Sequence, residues 1–163
     1  MHALHHLLRS AMVAGIVIAL SGSLLQAQPY SHEVRSATND DPSLTAPVGM
    51  IWIQAVGFGK KEVEAQRDAE VAALEALLFQ GIANTQFSMP MVEGGVASRE
   101  QHAAFYKTFF EQQGYRQFVS KTQLVQGLTK FKGGRKLVTR VLVDVNGLRR
   151  HLESNGVIRK FGM

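Results

Sequence analysis

Residues 57–61, Gly-Phe-Gly-Lys-Lys, hold the most chemical promise in the chain, because two glycines and two lysines stand ahead of an alanine-studded run. Loops that cradle phosphate have this general look, with backbone amides and a helix start turned toward the anion. A Walker loop needs G-x-x-x-x-G-K and then a hydroxyl residue for magnesium. A dinucleotide fingerprint needs a third glycine three residues after the second and an acid about 20 residues further on. Position 62 is Glu62, and the residues after it continue as helix. The spacing therefore reads as a tight turn between a buried strand and a close-packed helix. An anion held at the helix start by Lys60 and Lys61 is the alternative reading.

Other reactive side chains are sparse. There is no cysteine, which removes disulfides, thiol nucleophiles and the lipid-bearing cysteine of a lipoprotein. Three of six histidines fall within the first 27 residues, leaving His32, His102 and His151, with no H-E-x-x-H pattern. Ser88, Ser98, Ser120 and Ser154 could in principle act as nucleophiles, but no G-x-S-x-G elbow surrounds them. Glu62, Glu64, Asp68, Glu70 and Glu75 share one helical run and read as solvated. Asp144, among Arg140, Arg149 and Arg150, reads as one member of a local ion pair. No catalytic, cofactor-binding or metal-binding residue is assigned, and a non-enzymatic chain is expected.

The elements that must position these groups follow from hydrophobic period and punctuation. Residues 48–56 are almost all apolar and rich in β-branched and aromatic types, as expected of a central strand covered on both faces. From Lys61 to Phe79, alanines at 65, 69, 72, 73 and 76 fall on one side at helical spacing. Ser98 to Gly114 reads as a second helix, capped by Ser98 with Gln101, carrying Phe105 over Phe109 and Tyr106 over Phe110. Tyr115 to Val145 divides at Lys132-Gly133-Gly134 into a β-hairpin, with Leu137, Thr139, Val141, Val143 and Val145 on one side of its second strand. Asn146 is placed to cap a closing helix that buries Leu148 and Leu152, exposes Arg149, Arg150 and His151, and ends at Gly156. The expected fold class is α+β: a small antiparallel sheet in β-α-α-β-β-α order with helices packed on one face.

Residues 1–27 carry one arginine, a short apolar core and a small-residue end at Ala27, the pattern of a secretory signal peptide. The apolar run is broken at Ser21-Gly22-Ser23, short of a membrane span. Residues 28–47 hold three of the four prolines with no apolar period and read as a flexible leader, which leaves a single α+β domain over 48–163. A periplasmic or outer-membrane-associated location follows, with cleavage near Ala27.

Three features together resemble a known group: a buried strand ending in A-x-G-x-G at Ala55 to Gly59, the alanine-spaced helix, and a hairpin leading into V-D-V-x-x-L at Val143 to Leu148. They are similar to the small secreted α+β domains of bacterial envelope proteins, such as the N-terminal domain of flagellar assembly protein T and related outer-membrane lipoproteins. That resemblance implies a scaffold or binding module of the cell envelope without catalytic residues.

Charge is unevenly distributed. From Gln28 to Gly114 there are 6 Lys and Arg against 11 Asp and Glu, whereas from Tyr115 to Met163 there are 11 against 2. Lys130, Lys132, Arg135, Lys136 and Arg140 on the hairpin, with Arg149 and Arg150 on the last helix, are the candidate contacts for an anionic partner. In an exported chain that partner is an anionic envelope component or an acidic protein rather than nucleic acid. Two alternatives are a structural subunit that self-associates, acidic side to basic side, and a hydrolase whose site would need a pocket collecting His102 or Asp144. Alternating strand charges are also ordinary protection of a sheet edge.

Overall fold

The structure, a computed structural model, describes residues 32–131 and 133–160. The signal peptide read over residues 1–27 and the hairpin residue Lys132 lie outside the described residues, as do 28–31 of the leader. The fold class is α+β, built on a four-stranded antiparallel sheet.

In chain order the strands are β1 (Val34–Ser36), β2 (Met50–Phe58), β3 (Val119–Phe131) and β4 (Gly134–Asp144), and the sheet order is β1-β2-β4-β3. The apolar run of β2 sits beside β4 in the interior of the sheet, and Ile51 to Gly57 are all buried. The inward side of β4 is Leu137, Thr139, Val141 and Val143, each fully buried. α1 (Glu62–Phe79) packs on that side, and Ala65, Ala69 and Ala73 bury completely against Ile51, Ile53 and Ala55. Small side chains let the helix axis come close to the sheet, and Gly57 completes the fit. A Cβ there would lie 2.6 Å from the Ala69 amide nitrogen and closer still to the Ala65 carbonyl. The two glycines of the 57–61 stretch thus serve packing.

Several expectations are corrected. The segment read as a leader contributes β1, which pairs Val34 with Ala55 and Ser36 with Ile53, so the sheet gains a strand ahead of the expected order. Residues 37–50 then cross the second face of the sheet, where Ala37, Leu44 and Met50 pack on Trp52 and Leu142 and the Trp52 indole donates to the Thr45 carbonyl at 3.1 Å. The sheet is therefore covered by helix on one face and by this segment on part of the other. Polar bonds do the rest of the holding: Gln54 Nε2 and Arg35 Nε both donate to Asp40 Oδ2 at 2.8 Å, and Arg140 donates to Asp41 Oδ2 at 3.0 Å. Such a segment has no apolar period because it covers a core instead of forming one.

The second expected helix is broken. α2 (Gly95–Gln101) begins after the left-handed Gly94, so Ser98 lies inside it and is buried, not at its cap. The chain breaks helical geometry at His102, resumes as α3 (Ala103–Tyr106), and passes into a π-helical turn over Lys107–Glu111. Left-handed Gln113, ahead of Gly114, marks its end. The ring pairs persist, with Phe105 stacked on Phe109 at 5.5 Å and Tyr106 on Phe110 at 6.1 Å. The closing helix α4 (Val145–Ser154) is capped by Asp144, whose Oδ1 accepts the Gly147 amide at 2.9 Å. Asn146 is not the cap, and Asp144 is a capping carboxylate and not an ion-pair partner of the neighbouring arginines. His151 does not face out; its ring lies among Phe105, Phe109 and Phe118 at 5.1–6.4 Å.

Glu70 is likewise not solvated. Only 4% exposed, its carboxylate accepts from Thr122 Oγ1 at 3.0 Å, Gln66 Nε2 at 3.2 Å and the Tyr115 hydroxyl at 3.3 Å. Burial, followed by the neighbouring Glu70 charge, pushes the Tyr115 phenol up from its ordinary pKa. This closed polar cluster ties α1 to β3 and to the 3-10 turn at Gly114–Phe118.

Two outcomes follow. Gly57→Ala should destabilise the domain by about 3 kcal/mol through overpacking against backbone, whereas Gly127→Ala, where a Cβ meets open space, should change it by less than about 0.5 kcal/mol. Urea midpoints compare the two, and equal midpoints would contradict the close-approach account. The Asp41 carboxyl is held below its ordinary pKa by the Ser43 hydroxyl, with the Ser43 amide and Arg140 adding to it against the opposing effect of desolvation. A depressed folded-state pKa gives stability that is present above the unfolded value and lost as pH falls through the folded one. Asp41→Asn should therefore lower stability at neutral pH and flatten its decline below about pH 4. Parallel stability curves for the two proteins would show that Asp41 contributes nothing there.

Candidate functional site

The structure divides the cations into those already engaged and those that are not. Arg35 pairs with Asp40, Arg99 with Glu75, Arg116 with Glu70 and Arg140 with Asp41. Arg140, a candidate contact for an anionic partner, is thereby withdrawn: its side chain is 18% exposed and also reaches Gln54 Oε1 at 3.4 Å, on the face covered by residues 37–50. Its position on an interior strand opposite Gln54 turns it inward.

The remaining hairpin cations gather at one end of the sheet. Lys130 on β3 and Arg135 on β4 are register partners beside the turn, so their side chains leave the same face at adjacent positions. Lys136 pairs with Thr129 on one side and with Phe58, the last residue of β2, on the other. The register carries β4 past the end of β2, where the Gly59 amide donates to the Arg135 carbonyl at 3.2 Å. Arg135 in turn donates to the Lys60 carbonyl at 3.4 Å. The 57–61 stretch, a packing turn rather than a phosphate loop, therefore brings Lys60 and Lys61 to the same end, beside the start of α1. Lys60, Lys61, Lys130 and Arg135 are exposed and Lys136 is partly so. Among the described residues none of the five is ion-paired with a carboxylate.

Two features shape the field at this end. Like charges directly across a strand pair repel, and the helix start adds its positive partial charge. Glu62 and Glu64 in the first turn of α1 offset part of this, and Glu64 Oε2 already accepts the Lys60 and Lys61 amides at 3.0 and 3.3 Å. The amides just ahead of the helix are thus occupied, and what this end chiefly offers a ligand is side-chain charge on an exposed rim. Phe58 and Phe131 pack against each other there with ring centroids 5.5 Å apart.

Arg149 and Arg150 are not part of this group. They lie on α4, which follows Asp144, and Asp144 pairs with Met50 at the far end of β2. Nine residue steps along β4 separate Arg135 from Asp144, about 30 Å. The seven candidates therefore resolve into three at the hairpin end, one engaged in the sheet, two on α4, and Lys132 outside the described residues.

His32 and Ser154 are engaged in local structure. His32 Nε2 lies 2.7 Å from Asp68 Oδ2, which also accepts the Phe58 amide at 2.8 Å and so joins β2 to α1. The Ser154 hydroxyl donates to the His151 carbonyl. Among the described residues there is no group of three or more His, Asp or Glu placed to hold a metal ion, and no helix is long and apolar enough to cross a membrane. Glu70 was detectable in principle, since Ala73, Leu74 and Leu77 of the buried stripe lie three, four and seven residues after it, at helical spacing. The pairing of Arg140 with Asp41 had no local signal, because 99 positions separate the two.

The chain matches no family model, no curated protein and no solved structure at a significant level.

Proposed function

We propose that the chain is an exported, non-enzymatic binding module of the cell envelope, and that it holds an anionic envelope component through the hairpin end of its sheet. The observation that carries this reading is the gathering of five cations, Lys60, Lys61, Lys130, Arg135 and Lys136, at one end of the sheet from β3, β4 and the turn between β2 and α1, without carboxylate partners among the described residues, with Lys136 on the opposite face from Lys130 and Arg135. Arg35, Arg99, Arg116 and Arg140 are ion-paired, and the five hairpin-end cations differ from other unpaired ones, such as Arg149 and Arg150, in sharing one end of the sheet. A surface of this kind attracts polyanions by charge density and is screened by salt.

The signal-like residues 1–27 support export, and the A-x-G-x-G strand with its alanine-spaced helix supports kinship with small envelope domains of the flagellar assembly protein T type. The polar clusters around Glu70, Asp41 and Asp68 are closed on their own partners and serve packing, which favours a binding role over a catalytic one.

Binding to vesicles containing phosphatidylglycerol, and separately to lipopolysaccharide, tests the reading. Each Lys or Arg near an anionic surface contributes about 1 kcal/mol, so Arg135→Glu with Lys136→Glu should weaken binding by about thirtyfold or more. Arg150→Glu on α4 should leave it within about twofold, and raising salt from about 50 to about 300 mM should release the wild type. No binding to either anion, or equal binding by the hairpin variant, would refute the proposal.

A further inference from the structure

At the opposite end of the sheet from the hairpin, a cleft of about 710 Å³ opens between α2 and the segment that follows α4. The C-terminal end of α1 fixes one side of it, since the Leu77 and Leu78 carbonyls accept the amides of Met91 and Val92. Its volume falls within the range of small-molecule sites.

Two arginines enter the cleft from different elements, Arg149 from α4 and Arg159 from the chain beyond it. Neither is ion-paired among the described residues, and the single carboxylate in the lining is Glu93. The two arginines against Glu93 give the lining an excess of one positive charge. Ser98, 8% exposed, and Gln101 add hydrogen-bonding groups. The apolar part consists of Met91 and Val157, both largely buried, with Ile158 beside them.

The geometry points to a binding site for a monocarboxylate with an apolar body, its head between Arg149 and Arg159 and its body on Met91, Val157 and Ile158. The planar guanidinium fork matches a carboxylate with two parallel hydrogen bonds. A net lining charge of one favours a monoanion over a dianion, and the apolar surface beside the arginines favours an amphiphile over a bare ion. This site is separate from the hairpin end and does not depend on the function proposed for it.

Titration calorimetry of the full chain with octanoate, 1-octanol and inorganic phosphate tests the assignment. Octanoate should bind saturably with one site per chain, and octanol and phosphate at least about tenfold more weakly, because each lacks one of the two recognised features. Arg149→Gln and Arg159→Gln should each weaken octanoate by about tenfold. Ala97→Trp, which fills the cleft without altering its charge, should abolish binding and serves if an arginine variant fails to fold. Arg135→Glu at the hairpin should leave octanoate binding unchanged, so the two sites stand or fall separately. Octanoate binding that is undetectable at millimolar concentration, matched by octanol or phosphate, or unaffected by all three cleft variants would overturn the assignment.

Discussion

The close approach of α1 to β2 is the constraint on which the rest of the structure depends. Gly57 has no room for a side chain beside the Ala65 carbonyl and the Ala69 amide, and the buried alanines keep the helix at that distance along its length. Because β2 turns directly into α1, the start of the helix is pinned beside the hairpin turn of β3 and β4. Lys60 and Lys61 consequently stand next to Arg135, and the C-terminal end of α1 reaches the other end of the sheet, where it supports the cleft below α4. A larger side chain in the alanine stripe would displace both ends together. The placement of charge is thus a consequence of packing.

Repulsion between Lys130 and Arg135 works against the hairpin that holds them. Elsewhere the fold avoids such costs: Arg116 meets the buried Glu70, and Arg140 meets Asp41 across the second face of the sheet. Cations in direct register without a carboxylate relieve their mutual repulsion when an anion is present. The same physics accounts for the division of the basic residues into structural and exposed sets, which composition alone cannot make.

The parts of the fold that were legible in the sequence are those with a strong local period. β2 is continuously apolar, β4 alternates, and the alanines of α1 recur at helical spacing, and each of these elements lies within about two residues of its expected bounds. β1 is three residues long and has no period to read; its pairing is set by β2. The passage from α3 into the π-helical turn after Tyr106 was hidden because Phe105 with Phe109 and Tyr106 with Phe110 keep four-residue spacing across it. At the candidate site, Lys130, Arg135 and Lys136 were identified from the hairpin sequence alone, whereas the approach of Lys60 and Lys61 needed the register of β4 against β2. The loss of Arg140 to Asp41 and the remoteness of Arg149 and Arg150 depend on the direction of β4, which charge counting ignores. The polar environment of Glu70 comes from Tyr115 and Thr122, more than forty positions away.

Fractionation of cells producing the full chain, with N-terminal sequencing of the recovered protein and a graded salt wash of the envelope pellet, tests the central claim most directly. The account predicts a mature chain starting near Gln28 that sediments with the envelope and is released by moderate salt. An uncleaved chain in the cytosol, or a cleaved chain that stays in the soluble fraction even at low salt, would contradict it.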